Sequence, residues 1–193
     1  MTLDRTDIDN ALAALKRGGV ILYPTDTVWG IGCDATNAAA VERVYALKRR
    51  SDAKALICLL DSADELPRWV GGVPDVAYQL IDAAVDPLTI IYDGAYAPPI
   101  APNLPADDGS LAVRIPNDDF CRELCRRLRK PIVSTSANIS GHPTPASFAE
   151  IDPELKKAVD YVCTSRRAPE GGPRKPSTII KLTEDARITI IRC

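Results

Sequence analysis

Nine short runs with strand character, VILYP, VWGIGC, ALICLL, PLTIIY, SLAVRIP, PIV, DYVCT, STIIKL and RITIIR, recur along the chain. Strands this short are not stable singly, so the pattern forces them to pair and to bury one face against other elements. The segments between them are helical in places. Ile8, Leu12 and Leu15 give residues 6–17 an amphipathic face that Gly18 and Gly19 terminate, and Asn37 is placed to cap a helix carrying Val41, Val44 and Tyr45. Pro74 opens another with Val76, Leu80 and Ile81, and Asp118 precedes one with Phe120, Leu124 and Leu128 on one side and an Arg-rich opposite face. Helical signals over 147–157 are weak and interrupted by Pro153, while the polar, Pro-rich stretch 94–109 reads as a surface loop. Helices and strands do not alternate regularly, which favours an α/β fold of the α+β kind, a twisted mixed β-sheet flanked by helices. A length of 193 residues without repeats or a low-complexity linker predicts a single domain, 1–193.

Charge and composition narrow the class. With 24 Lys plus Arg against 26 Asp plus Glu, the chain is not built to coat nucleic acid, although a local basic cleft stays open. No apolar run approaches bilayer length and the N-terminal residues lack a signal-peptide pattern, so a cytoplasmic protein without a membrane partner is expected. The six Cys, at 33, 58, 121, 125, 163 and 193, form no CxxC pair and read as small buried thiols. His142 is the only imidazole, with neither a neighbouring nucleophile nor an i,i+4 partner, and belongs to a loop.

Several polar segments interrupt this apolar framework. Gly30, Gly32 and Ala35 satisfy GxGxxA, but three residues intervene before the next helix, so the glycines belong to a strand and turn. No GxxxxGK[ST], HExxH or GxSxG is present. In LKRRSDAKAL, the cations Lys48, Arg50 and Lys54 fall within seven residues, enough to neutralise a polyphosphate, although on this segment alone a solvated helix end is the simpler account. STSAN places Ser134, Ser136 and Asn138 at a strand end, where they suit phosphate, ribose or carboxylate, or merely close a turn. In YPTDTVWG, Thr25 and Thr27 offer hydroxyls, and Asp26 is either a general base or a turn residue. Ser110 and Arg114, four apart on SLAVRIP, point to one side of a strand. A mid-strand Arg must be paired, either with a bound anion or in an internal salt bridge.

Taken in order, YPTDTVWGIG, Lys48-x-Arg50 with Lys54, SLAVRIP, STSAN with SGHPTP, and KPSTIIKL with a terminal strand ending in Arg192 resemble the YrdC/TsaC family, the threonylcarbamoyl-AMP synthases. The resemblance implies a YrdC-like twisted mixed sheet with a large concave basic cleft. It also implies the formation of threonylcarbamoyl-AMP and pyrophosphate from L-threonine, bicarbonate and ATP with Mg²⁺, for modification of tRNA adenosine by downstream tRNA-modifying proteins. Carried across, Thr27, Arg114, Ser134 and Ser177 would hold threonine. Arg50, Lys54, Ser110, Ser136, Asn138, Thr144 and Arg192 would contact ATP, with Lys48, Arg50 and Lys54 catalytic and no metal ligand assigned to the protein. Val85 and Asp86 stand where many members have Pro and Gly, Ser51 where Pro commonly follows the KxR, and the segment 164–176 would form a flap. The competing reading is a double-stranded RNA or tRNA-binding module of the YrdC/YciO type without synthase activity, suggested by Arg126, Arg127, Arg129 and Lys130; a weak RNA contact is compatible with both.

Overall fold

A computed structural model describes residues 3–49, 56–93, 99–168 and 176–193. In chain order its elements are α1 (Arg5–Lys16), β1 (Ile21–Tyr23), β2 (Gly30–Gly32), α2 (Ala38–Leu47), β3 (Ile57–Leu59), α3 (Leu66–Trp69), α4 (Val76–Ala83) and β4 (Leu88–Tyr92). They are followed by β5 (Leu111–Arg114), α5 (Asp119–Leu128), β6 (Ile132–Ser136), α6 (Pro153–Ala158), β7 (Tyr161–Val162), β8 (Thr178–Leu182) and β9 (Ile188–Arg192). Among the described residues, the strands form one nine-stranded twisted mixed sheet in the order β7-β1-β2-β6-β3-β5-β4-β8-β9. The pairs β1/β7, β3/β5 and β4/β8 are parallel and the rest antiparallel. No helix of the described residues is long and apolar enough to cross a membrane.

Local signals set the helix ends. Asp4 accepts from the Thr6 and Asp7 amides at the start of α1, Asn37 from the Ala40 amide at the start of α2, and Asp118 from the Cys121 amide at the start of α5. Gly18 follows α1 at φ 77°, where its amide and that of Gly19 close onto the Leu15 and Ala14 carbonyls. A side chain there would meet both the left-handed penalty and Asn37 at 2.8 Å. Pro153 does not interrupt a helix but opens α6 at its first turn, where the missing N–H costs nothing. The stretch expected to be a surface loop is anchored instead: Ile100, Ala101 and Leu104 are buried, and the Ala101 amide donates to the Ala35 carbonyl at 2.9 Å. Residues 94–98 of that stretch lie outside the described residues.

Five of the thiols are buried and Cys193 is exposed. Burial pushes the Cys58 thiol up to about 12 and raises the others in the core, so these groups stay protonated and act as small apolar side chains.

Thr164, Ser165 and Arg166, which begin the segment expected to form a flap, are held by two carboxylates, while its residues 169–175 lie outside the described residues. Asp7 of α1 accepts from the Tyr161 hydroxyl at 2.7 Å and from the Thr164 and Ser165 amides at 2.9 and 2.8 Å. Asp118 pairs with Arg166 at 2.5 Å. Burial alone would raise both carboxyls, but the donors around Asp7 and the Arg166 guanidinium beside Asp118 outweigh it and hold both below the ordinary value of 3.8. A carboxylate with a depressed folded pKa contributes stability that is complete above its unfolded value and is lost as pH falls through the folded one. Thermal melting should therefore hold steady down to about pH 5 and decline below about pH 4. Asp7→Asn should cost about 2 kcal/mol at pH 7 and flatten that acid limb. An unchanged acid limb in the variant, followed by circular dichroism, would contradict this role.

Candidate functional site

Because alternate residues of a strand face opposite sides, the register of the sheet decides which side chains meet on its open face. Across β6, β3, β5, β4 and β8, one row runs Ser134, Ile57, Ala112, Ile91, Lys181. The next row runs Arg114, Thr89, Ile179, Arg192 across β5, β4, β8 and β9. All of these residues line a single cleft of about 830 Å³, together with Thr25, Thr27, Gly30, Asp107, Asp108, Ser110, Ser136, Thr144 and Ser177. That is the size of a small-molecule site. The intervening residues Cys58, Ile90, Val113, Val133 and Ile180 belong to the core.

Arg114, 4% exposed, sits at the end of β5 in the cleft wall. Its Nη1 donates to Thr27 Oγ1 at 3.2 Å, and its Nη2 forms an ion pair with Asp26 Oδ1 at 3.3 Å that lacks hydrogen-bond alignment. Asp26 Oδ2 in turn accepts from the Asn117 amide at 3.1 Å. Thr25 Oγ1 lies 3.0 Å from Thr27 Oγ1 and donates to the Val28 carbonyl at 2.7 Å, fixing the turn. Of the two readings of Arg114 left open by the sequence, the internal pair exists. Its Nε, buried, makes no hydrogen bond among the described residues.

At the opposite end of the cleft, Arg192 Nε and Nη2 donate to the Ser177 carbonyl at 3.2 and 2.7 Å, while Ser177 Oγ lies 2.8 Å from Thr89 Oγ1. Lys181 pairs with Asp108 at 2.8 Å, and Asp108 also accepts from Ser110 Oγ at 2.6 Å. The Lys181 ammonium and the Ser110 donors hold the Asp108 carboxyl well below the usual carboxylate range. The described lining thus carries Arg114, Lys181 and Arg192 against Asp107 and Asp108.

Thr27, Ser110, Arg114, Ser134, Ser136, Thr144, Ser177 and Arg192, named from the sequence, all line this cleft. Asn138 does not; it lines an adjoining cavity of about 240 Å³ with Thr144 and His142. Lys48 is buried behind the STSAN turn, its Nζ donating to the carbonyls of Ser136 and Asn138 at 2.6 and 2.8 Å. Arg50 and Lys54 lie outside the described residues. Sequence reasoning missed Thr89, Asp108 and Lys181. Thr89 was visible by the same rule that singled out Arg114, a polar residue within an apolar strand, whereas Asp108 and Lys181 become neighbours only through the pairing of β8 with β4.

The Arg-rich face of α5 has internal partners. Arg126 pairs with Glu123 at 2.7 Å, Arg127 with Asp9 at 2.6 Å, and Lys130, just beyond the helix, with Asp34 at 2.6 Å. Gly30 and Gly32 lie in β2, and a Cβ on Gly32 would come within 2.2 Å of the Val133 carbonyl. The glycines therefore admit β6 and are not a dinucleotide turn.

Similarity to known proteins agrees with the geometry. Residues 13–193 match the Sua5/YciO/YrdC family model, which carries the description telomere recombination. The threonylcarbamoyl-AMP synthase of Chromohalobacter salexigens is 38% identical over 180 residues, 92% of each chain. A doubly substituted P. abyssi Sua5 superposes with a TM-score of 0.85 at 26% identity, over 98% of this chain and 57% of that one. E. coli YciO does so with a TM-score of 0.84 at 26% identity, over 99% and 90%. On a match that takes in nearly every strand and helix of the sheet just described, the chain belongs to the Sua5/YciO/YrdC family.

Proposed function

We propose that this protein is an L-threonylcarbamoyladenylate synthase, converting L-threonine, bicarbonate and ATP to threonylcarbamoyl-AMP, pyrophosphate and water. The observation that carries the reading is Arg114, a buried guanidinium held by Thr27 and Asp26 with its Nε unpaired, in the wall of a hydroxyl-rich cleft. A carboxylate in the cleft matches the planar guanidinium. Thr27 and Ser134 supply hydroxyls in the cleft with it, and Ser177 joins them through Thr89, 2.8 Å from its Oγ. The backbone positions of Arg114 and Arg192 stand three strand spacings apart, roughly 14 Å, and the Arg192 guanidinium folds back over β8 to within 3.5 Å of Ser177 Oγ, so both cations face one cleft of about 830 Å³, room for an amino acid beside a nucleotide. The name carried by the C. salexigens relative, similar over nearly its whole length, supports the same reading.

The reaction asks little covalent help of the protein. The threonine amine and bicarbonate combine to a carbamate with loss of water. A carbamate oxygen then forms a bond to the α-phosphorus as the bond from that phosphorus to the bridging oxygen breaks, and the electron pair leaves with pyrophosphate. Positioning and neutralisation of the phosphates are the expected sources of rate. In this reading Ser110, Ser136, Thr144 and Arg192 face the nucleotide, and Arg50 and Lys54 of the KxR segment add cations. Mg²⁺ would screen the triphosphate, travelling with it. Among the described residues no group of three His, Cys, Asp or Glu forms a cage for a metal, and Asp108 is already engaged by Ser110 and Lys181. Transfer to tRNA adenosine by downstream modifying proteins in the cytoplasm completes the proposal. Glu123, Asp9 and Asp34 beside Arg126, Arg127 and Lys130 lower the net positive charge that this face offers to RNA, which favours the synthase as the primary role.

Purified protein with ATP, Mg²⁺, bicarbonate and L-threonine should release pyrophosphate only when threonine and bicarbonate are both present; release indifferent to threonine would contradict the proposal. Thr27→Val removes the acceptor of Arg114 Nη1 and should raise the threonine KM about tenfold, one charge-assisted hydrogen bond, with the ATP KM within about twofold. Equal rises in both constants would argue against the assigned threonine pocket.

A further inference from the structure

We propose that Lys48 is a positioning residue that builds the nucleotide-facing turn and does not itself bind phosphate. The inference rests on the synthase reading for the identity of the nucleotide, but the clamp exists without it.

Lys48 caps the C-terminus of α2 and is 3% exposed. Three oxygens of the turn after β6 surround its ammonium: the Ser136 carbonyl at 2.6 Å, the Asn138 carbonyl at 2.8 Å and Asn138 Oδ1 at 3.4 Å. The Lys48 carbonyl accepts from the Ser140 amide at 2.9 Å, so the same residue grips the turn through both main chain and side chain. An ammonium has three protons to donate, and a buried one requires acceptors for them. The helix C-terminus adds a favourable field. Turning toward a phosphate would strip the carbonyls of their donor and leave the turn without its anchor.

What the clamp holds is the lip of the cleft. Ser136 Oγ donates to Asn138 Oδ1 at 2.5 Å, and Asn138 Nδ2 donates to the His142 and Ile139 carbonyls at 2.6 and 3.2 Å. Lys48, Asn138 and Ser136 thus form one hydrogen-bonded unit from α2 to the stretch that ends in Thr144. Of that unit Ser136 reaches the cleft, and Thr144, two residues beyond His142, lines it as well. The cation binds the turn's carbonyls, and the turn presents the hydroxyls.

Two measurements test this. In unaltered protein labelled with ¹⁵N-lysine, the Lys48 ammonium should give a solvent-protected resonance that shows no scalar coupling to ³¹P when a non-hydrolysable ATP analogue binds; such a coupling would overturn the proposal. In the absence of any nucleotide, Lys48→Met should shift the amide resonances of residues 136–144, and unmoved amides would overturn it too. For catalysis, Lys48→Met should raise the ATP KM about tenfold, and the double variant with Ser136→Ala should be no worse than the weaker single variant within about twofold. Penalties that multiply would mean that Lys48 reaches the nucleotide independently of Ser136. A protein that binds no nucleotide analogue would overturn the synthase reading alone, because the apo resonances still report the clamp.

Discussion

A guanidinium buried at the end of a central strand is the constraint around which this molecule is arranged. Arg114 is expensive to remove from water, and the chain answers by bringing the turn between β1 and β2 across to β5. Asp26 neutralises it, Thr27 accepts from it, and the Asn117 amide fixes Asp26 from the side of β5 itself. The same contacts that make the charge tolerable also hold it rigid. A guanidinium held rigid in the cleft wall is placed before a ligand arrives, so little ordering remains to be done on binding.

The rest of the cleft floor follows from sheet register. Rows of side chains cross six strands drawn from residues 57 to 192, and neighbours in a row come from different strands. Ile57, Ile91 and Ile179 give the floor an apolar ground on which the hydroxyls of Thr89 and Ser134 and the cations Arg114, Lys181 and Arg192 stand. The ion pairs Lys181–Asp108 and Arg114–Asp26 hold cations at separate points of the floor, with Arg192 tied to the Ser177 carbonyl. Charge in this protein is local, and the formal net charge of -2 conceals it.

Much of this was legible in the sequence where local rules operate. The caps at Asn37 and Asp118, the apolar faces of α1 and α5, the strand runs and the side of the strand shared by Ser110 and Arg114 all follow from periodicity and hydrogen-bond need. Pro153 misled because the residue that breaks a helix interior also starts one. The short helix α3, which buries Leu66 and Trp69, escaped because four residues carry no period. The buried Ile100 and Leu104 were hidden inside a polar, Pro-rich composition. Lys48 read as one of three cations at a helix end, and only the approach of a turn some 90 residues away shows where its ammonium points. Long-range pairing is the information that local pattern lacks.

The central claim is that Arg114, held by Asp26 and Thr27, receives the carboxylate of threonine. The most direct measurement is a crystal structure of the protein with L-threonine and a non-hydrolysable ATP analogue. The account predicts the threonine carboxylate within hydrogen-bonding distance of the Arg114 guanidinium, with the Asp26 pair retained and the nucleotide reaching toward Arg192. Threonine bound elsewhere in the cleft, or an Arg114 that keeps only its internal partners, would contradict it.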